Sequence, residues 1–224
     1  MKKTLLLLLL AFASTTTAFS QARPGGTLTS KDYTGGGTTN SRNTGFGVKG
    51  GYSLSNFFGD GKDAFKNRDN LNTYHVGAYG QFGFNNFSSV QVEVLYSRKG
   101  IRYDNPTLSD FRLDYISVPV LYVGNVTDAF SFHIGPEVSL LTKVNSNGNN
   151  LDIKANGFNS VDVGGLFGLE YRVGPARVGA RYDLGLARVL DNGTVFKTAS
   201  TPNPTAGRIT NQTLQLYLGI GFTQ

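Results

Sequence analysis

The chain has 224 residues, with 21 Lys and Arg against 15 Asp and Glu for a formal net charge of +6, and it contains no Cys, no Trp and a single Met. The missing cysteine excludes a disulfide framework, a thiolate metal site, a cysteine nucleophile and the lipid-bearing cysteine of a bacterial lipoprotein. Charged residues at 16% are too few for a disordered polyelectrolyte and an apolar share of 39% is low for a helical membrane protein, whereas 29 Gly beside 16 Phe and 11 Tyr point to an all-β chain of one domain or two small ones.

The N-terminus begins with Lys2 and Lys3, continues through the apolar run Leu5–Ala13 and ends in small residues up to Ser20. This pattern predicts a secretory signal peptide over residues 1–20, with cleavage after Ser20 or after Ala22. The apolar run is far short of the ~20 residues of a spanning helix. Once Lys2 and Lys3 are removed the net charge falls from +6 to +4. No cluster of Lys and Arg interleaved with aromatics remains, so nucleic acid is not an expected partner. Residues 21–44 are Gly, Thr, Ser and Asn with almost nothing apolar, and they read as a flexible periplasmic tail that cannot offset its own ordering entropy.

From residue 45 to 224 the pattern changes to repeated period-2 alternation, which predicts strands near 46–55, 72–84, 88–99, 112–123, 130–141, 161–173, 176–188 and 209–222. Every second residue is apolar, as in Tyr74-Val76-Ala78, Val90-Val92-Val94-Tyr96 and Leu214-Leu216-Leu218-Ile220-Phe222. Charges of that parity (Arg98, Arg112, Asp114, Arg188) fall only at strand ends facing the longer loops. The opposite face carries Lys49, Glu93, Lys99, Glu137, Asp162, Glu170, Arg172, Arg177, Arg181 and Asp183, together with His75, His133, Gln81, Gln91, Gln215 and most strand glycines.

A soluble ligand-binding barrel would have to pack all of the apolar face inside eight strands, whose interior holds only side chains or one small ligand. A membrane barrel instead turns that face to lipid and uses glycine to make room for inward Arg, Tyr and Glu, and its closure pairs every backbone group. The fold expected is therefore an all-β, eight-stranded antiparallel up-and-down transmembrane β-barrel. Connections at 56–71, 100–111, 142–160 and 189–208 are long, while those at Asn85-Asn86, Gly124–Ala129 and Gly174-Pro175 are short. Strict alternation puts both chain ends on the short-turn, periplasmic side and the long polar loops outside. Tyr74, Phe82, Phe84, Tyr96, Tyr122, Phe130, Tyr171 and Phe222 are placed for interfacial girdles. Pro119 and Pro136 lack a ladder N–H, so a bulge is expected near each.

With those residues laid out, the chain resembles the PorT-like outer-membrane β-barrel family of Bacteroidota. The matching stretches are Gly47-Val48-Lys49-Gly50-Gly51-Tyr52-Ser53-Leu54-Ser55-Asn56, Val92-Glu93-Val94-Leu95-Tyr96-Ser97-Arg98-Lys99-Gly100, Leu113-Asp114-Tyr115-Ile116-Ser117-Val118-Pro119, Gly135-Pro136-Glu137 and Gly179-Ala180-Arg181-Tyr182-Asp183-Leu184-Gly185-Leu186. The resemblance implies an eight-stranded barrel in the bacterial outer membrane, and says little about activity, since only the namesake is tied to protein secretion. Such barrels often end on an aromatic that the barrel assembly machinery reads during biogenesis, whereas here Thr223-Gln224 follow Phe222.

The ten inward charges are five basic and five acidic. A selectivity ring is expected to carry one sign. A balanced set fits a cross-strand ion-pair network filling the lumen, centred on Glu93 and Glu137 facing Arg172, Arg177 and Arg181. His75 and His133 are expected near opposite ends of the barrel, with no His–carboxylate–nucleophile set at one level. Loop residues Gly59-Asp60-Gly61-Lys62-Asp63 lack both the Gly-Lys-Ser/Thr ending of a phosphate loop and the terminal Glu of a calcium loop, and read as solvated. No catalytic residue, metal site or cofactor is expected. The function expected is a membrane-embedded scaffold or interaction protein, surrounded by outer-membrane lipid and meeting a protein partner at its outer loops or periplasmic face. A narrow passive channel is the alternative, and an outer-membrane enzyme a more distant one.

Overall fold

The structure is a computed structural model and describes residues 43–59, 68–103, 110–146, 148–155, 158–189 and 209–222. The expected signal peptide, the tail up to residue 42, the loop residues 60–63 and the segment 190–208 lie outside the described residues. The elements are β1 (Gly45–Phe58), β2 (Arg68–Gly83), β3 (Ser88–Tyr103), β4 (Phe111–Asn125), β5 (Phe130–Ser146), β6 (Asn149–Leu151), β7 (Val161–Val173), β8 (Ala176–Gly185) and β9 (Thr210–Phe222).

Each strand pairs antiparallel with the next, and β6 is a three-residue strand that pairs only with β5 above the β5–β7 ladder. The sheet closes where β1 meets β9, in register from Phe46 opposite Phe222 to Phe58 opposite Thr210. The result is a closed eight-stranded barrel with no free edge along its wall. The short connections are built by local side chains. Asn85 Oδ1 accepts from the backbone N–H of Phe87 (2.9 Å) and Ser88 (2.6 Å), and Thr127 Oγ1 accepts from Phe130 N–H (2.9 Å). Gly174, at φ +58°, takes a left-handed turn conformation that a side chain would disfavour.

Alternation sets the two faces. Outward apolar side chains are left bare along every barrel strand, with Leu218 66% and Phe167 53% exposed, a surface that water does not tolerate and lipid does. Aromatics gather toward its two edges: Phe46 stacks near Phe222 at 5.8 Å and Tyr122 near Phe132 at 5.9 Å toward the short turns, and Tyr74 near Tyr96 at 6.0 Å toward the long loops. Inward glycines make room for rings. A Cβ on Gly47 would strike the Tyr79 ring, and one on Gly179 would strike Tyr217.

Three features differ from the sequence reading. The ladder shifts register between Asn70 and His75 and between Asp114 and Tyr115, not at the prolines. Pro119 stands opposite Glu137 and Tyr122 opposite Ile134, which is one unbroken register, and each proline falls in a local gap in pairing, Pro136 in the β4–β5 ladder and Pro119 in the β3–β4 ladder. Opposite Asp114, Thr142 is the extra residue, and its hydroxyl donates to the Asp114 carbonyl at 2.8 Å. That bulge changes which parity faces inward, so both Leu141 and Val144 are buried.

Strands β1 to β5 also run past the expected boundaries at the long-loop end, where the inner face turns from polar to apolar, whereas β8 stops at Gly185, short of the expected 188. Phe57, Ile101, Leu113, Val144, Phe158 and Ile209 are buried together there, with Leu151 and Ile153 packed against them. Val189 N–H donates to the Ile209 carbonyl (2.9 Å) and Asn159 N–H to the Val189 carbonyl (3.0 Å), which ties the loop segments over the mouth. With 17 residues, β5 is about 55 Å long at ~3.3 Å per residue, well beyond an apolar band of ~25 Å even when tilted.

Candidate functional site

The short-turn mouth is closed by the residue that enters the barrel. Asn43 is 2% exposed and lies across the opening. Its amide nitrogen donates to the Asn85 carbonyl at 3.0 Å, and its oxygen accepts from Asn125 Nδ2 at 2.6 Å and from Arg172 Nη1 at 3.1 Å. The neighbouring Thr44 hydroxyl accepts from Gly83 N–H at 3.0 Å. Composition alone placed both residues in a loose tail, but partners from three hairpins fix them.

Above this latch the lumen is filled by three groups of charges. Glu170 accepts from Arg172 (3.2 Å), Arg177 (3.2 Å) and the Tyr217 hydroxyl (2.9 Å). Arg177 also donates to Gln81 Oε1 at 2.8 Å and lies over the Tyr79 ring at 4.7 Å. Next, Glu93 accepts from Lys49 and Arg181, each at 2.7 Å, and from Gln91 Nε2 at 2.6 Å. The Lys49 ammonium is flanked by the Tyr217 ring at 4.5 Å and the Tyr79 ring at 5.0 Å, which supply cation–π contacts where water is excluded. Nearer the long loops, Lys99 meets Glu137 at 3.1 Å and Asp183 at 2.6 Å, and Ser139 donates to Glu137 at 2.8 Å. Among the described residues Asp162 makes no ion pair within 4 Å, and its Oδ2 accepts from Asn211 Nδ2 at 2.9 Å.

All ten inward charges therefore face the lumen, but the partners differ from those expected. Arg181 reaches Glu93, whereas Arg172 and Arg177 meet Glu170, and Glu137 meets Lys99 instead of an arginine. The ten also sort by level. The Glu93 and Glu170 groups hold four cations against two anions, and the Lys99 group holds one cation against three anions. Balance over the whole lumen thus hides two layers of opposite excess. Sequence spacing could not show this, since Glu93 and Arg181 are 88 residues apart on non-adjacent strands.

The two histidines are linked only through intervening side chains. The His75 ring stands edge-on to Tyr217 at 6.5 Å, the Tyr217 hydroxyl donates to Glu170, and Glu170 lies 3.9 Å from His133 Nε2. His75 Nδ1 is 2.9 Å from Ser53 Oγ, while Ser131 Oγ lies 3.4 Å from His133 Nε2. At His133 both the hydroxyl and the carboxylate address the same ring nitrogen, so the nucleophile–base–acid relay is not formed there. Among the described residues, no group of three His, Cys, Asp or Glu side chains is arranged to hold a metal ion. Outside the lumen, an open groove of about 710 Å³ lies along the β5–β6 hairpin, lined by Thr142, Lys143, Asn150, Leu151, Asp152 and Lys154 among others. The sequence reading placed this segment in a long, polar outer loop suited to recognition, without the hairpin.

Residues 19–191 match the family model described as an outer membrane protein beta-barrel domain. Among solved structures the barrel is similar to neisserial surface protein A (NspA), with a TM-score of 0.52 and 15% identity over 79% of this chain and 97% of that one. It is also matched to Ail, the attachment invasion locus protein of Yersinia pestis (TM-score 0.45, 16% identity, 80% and 99% covered), and to OprG of Pseudomonas aeruginosa (TM-score 0.41, 13% identity, 82% and 99% covered). No curated protein matches the chain. At these identities the structural neighbours speak to the fold alone. Closed wall, lipid-compatible exterior and a family match over most of the length agree, and the chain belongs to the outer membrane protein beta-barrel domain family.

Proposed function

We propose that this barrel is a non-enzymatic membrane-embedded scaffold that works through the surfaces at its two ends and not through its lumen. The observation that carries the reading is closure at three levels: the Asn43 latch, the packed ion pairs and the apolar lid around Phe57, Ile101 and Phe111. A narrow channel would require an open polar path, and the lid offers none: water is expelled from such a constriction. A catalytic reading finds no support in the lumen, where Ser131, His133 and Glu170 are each 1% exposed and lack the relay geometry.

In this reading the first 20 residues direct export, the chain is a PorT-like barrel of a Bacteroidota-type outer membrane, and the barrel assembly machinery inserts it. The short turns and the tail face the periplasm. The long-loop end projects outward, where the β5–β6 hairpin and its groove stand clear of the lipid and present Lys143, Asp152 and Lys154 to a protein partner. Site-specific photocross-linking from Asn150 and Lys154 in intact cells tests this. One discrete protein adduct, lost when residues 148–155 are replaced by a short Gly-Ser turn, is expected. Adducts to lipid alone, or none, would contradict the scaffold reading.

A further inference from the structure

The Lys99 layer is short of positive charge, and we propose that it holds one calcium-like cation, bound by the Asp162 and Asp183 carboxylates and the Asn211 amide oxygen. Three carboxylates, Glu137, Asp162 and Asp183, share the single ammonium of Lys99, which leaves an excess of two negative charges. Each of these side chains is nearly or fully buried, roofed by the apolar lid, so bulk water does not screen them. A local excess of like charge in such surroundings is unfavourable, and a hard divalent ion offsets it at one point.

Unused acceptors lie in that same layer. Asp162 Oδ1, Asp183 Oδ1 and Asn211 Oδ1 are all buried without a hydrogen-bond partner. Asn211 is the independent pointer, because it is neutral and has no charge to balance. It is 1% exposed, and its amide nitrogen donates to both the Tyr115 hydroxyl (3.2 Å) and Asp162 Oδ2 (2.9 Å). Those bonds fix the amide beside Asp162 and leave its oxygen without a hydrogen-bond partner.

The wall beside them is glycine. Gly164 and Gly185 stand directly opposite one another on β7 and β8. A Cβ on Gly164 would lie 3.4 Å from Asp183 Oδ1, and one on Gly185 the same distance from Asp162 Oδ1. Both oxygens thus border the paired glycines, whose tightest contacts are to backbone, the Leu184 carbonyl for Gly164 and the Asn211 carbonyl for Gly185. Two carboxylates and an amide are a partial set for calcium, which takes ~6–8 oxygens and commonly completes its shell with water. The lid makes uptake during folding the natural route.

The test is refolding in detergent with calcium chloride or with a chelator, followed by thermal unfolding of wild type and Asp183→Asn. Calcium is expected to raise the wild-type melting temperature by several degrees, saturably. The variant, relieved of one excess charge, is expected to melt above wild type in chelator and to show no calcium response. An unresponsive wild type would overturn the proposal, leaving protons or water as the compensation. An equal response in the variant would also overturn it, by assigning calcium to surface carboxylates such as Asp110. If the variant does not fold, equilibrium dialysis of wild type against labelled calcium decides: about one ion per chain supports the site, and none refutes it.

Discussion

Glu93 is the sharpest point at which to perturb the lumen. Its carboxylate holds two cations at 2.7 Å, Lys49 and Arg181, and all three side chains are within 1% of full burial. Glu93→Gln keeps the volume and removes the charge, which strands two buried cations. Breaking one buried pair costs about 3–5 kcal/mol, and the rings of Tyr79 and Tyr217 around Lys49 return about 0.5–2 kcal/mol of attraction whether or not Glu93 is charged. The expected loss is therefore about 3–5 kcal/mol, read as the unfolding free energy in a denaturant titration of the refolded barrel in detergent. The comparison is Asp110→Asn, whose 3.1 Å pair with Arg112 is 28% and 47% exposed and is worth about 0–1 kcal/mol. Adding Lys49→Met to Glu93→Gln should recover part of the loss, since one stranded charge is then gone. If Glu93→Gln costs no more than Asp110→Asn, the ion pairs do not hold the lumen together and the reasoning fails.

Other perturbations follow from the same geometry. Glu137→Ala should lower the melting temperature more than a loop substitution but less than Glu93→Ala, because Lys99 keeps Asp183 at 2.6 Å; an order reversed in thermal melts would contradict the assigned partners. Gly179→Ala drives a Cβ into the Tyr217 ring and should cost about 1–3 kcal/mol, with recovery in the Gly179→Ala/Tyr217→Leu pair measured by the same titration. Leu216→Arg places a charge on the outer wall in mid-strand, where Leu216 is 54% exposed, and should cost about 2–4 kcal/mol in a lipid bilayer; an unchanged stability would mean that this face does not meet lipid.

The wall of the barrel was legible because a strand with two unlike solvents writes a period of two into its side chains, and Val90-Val92-Val94-Tyr96 against Gln91, Glu93 and Ser97 does so plainly. The short connections at Asn85-Asn86 and Gly124–Ala129 were legible from where alternation stops, but not the side-chain bonds of Asn85 and Thr127 that close them. What alternation cannot carry is the height at which side chains from different strands meet. Strand tilt sets that, so Glu137 meets Lys99 and the arginines sort themselves between Glu93 and Glu170. Nor does alternation survive a bulge: Thr142 turns the parity of β5, and Val144 joins the lid instead of the surface. Asn43 was hidden by its neighbours, since a Gly- and Thr-rich approach gives no sign that one amide will bridge Asn85, Asn125 and Arg172.

The proposed scaffold has a lumen that is latched, packed and lidded, and single-channel recording tests for a water path most directly. The refolded, signal-free protein, shown to be folded and inserted into a planar bilayer, is expected to give a silent baseline across the voltage range. Reproducible conductance steps would mean that water runs past Asn43, Glu93 and Phe57, and would put a channel in place of the scaffold.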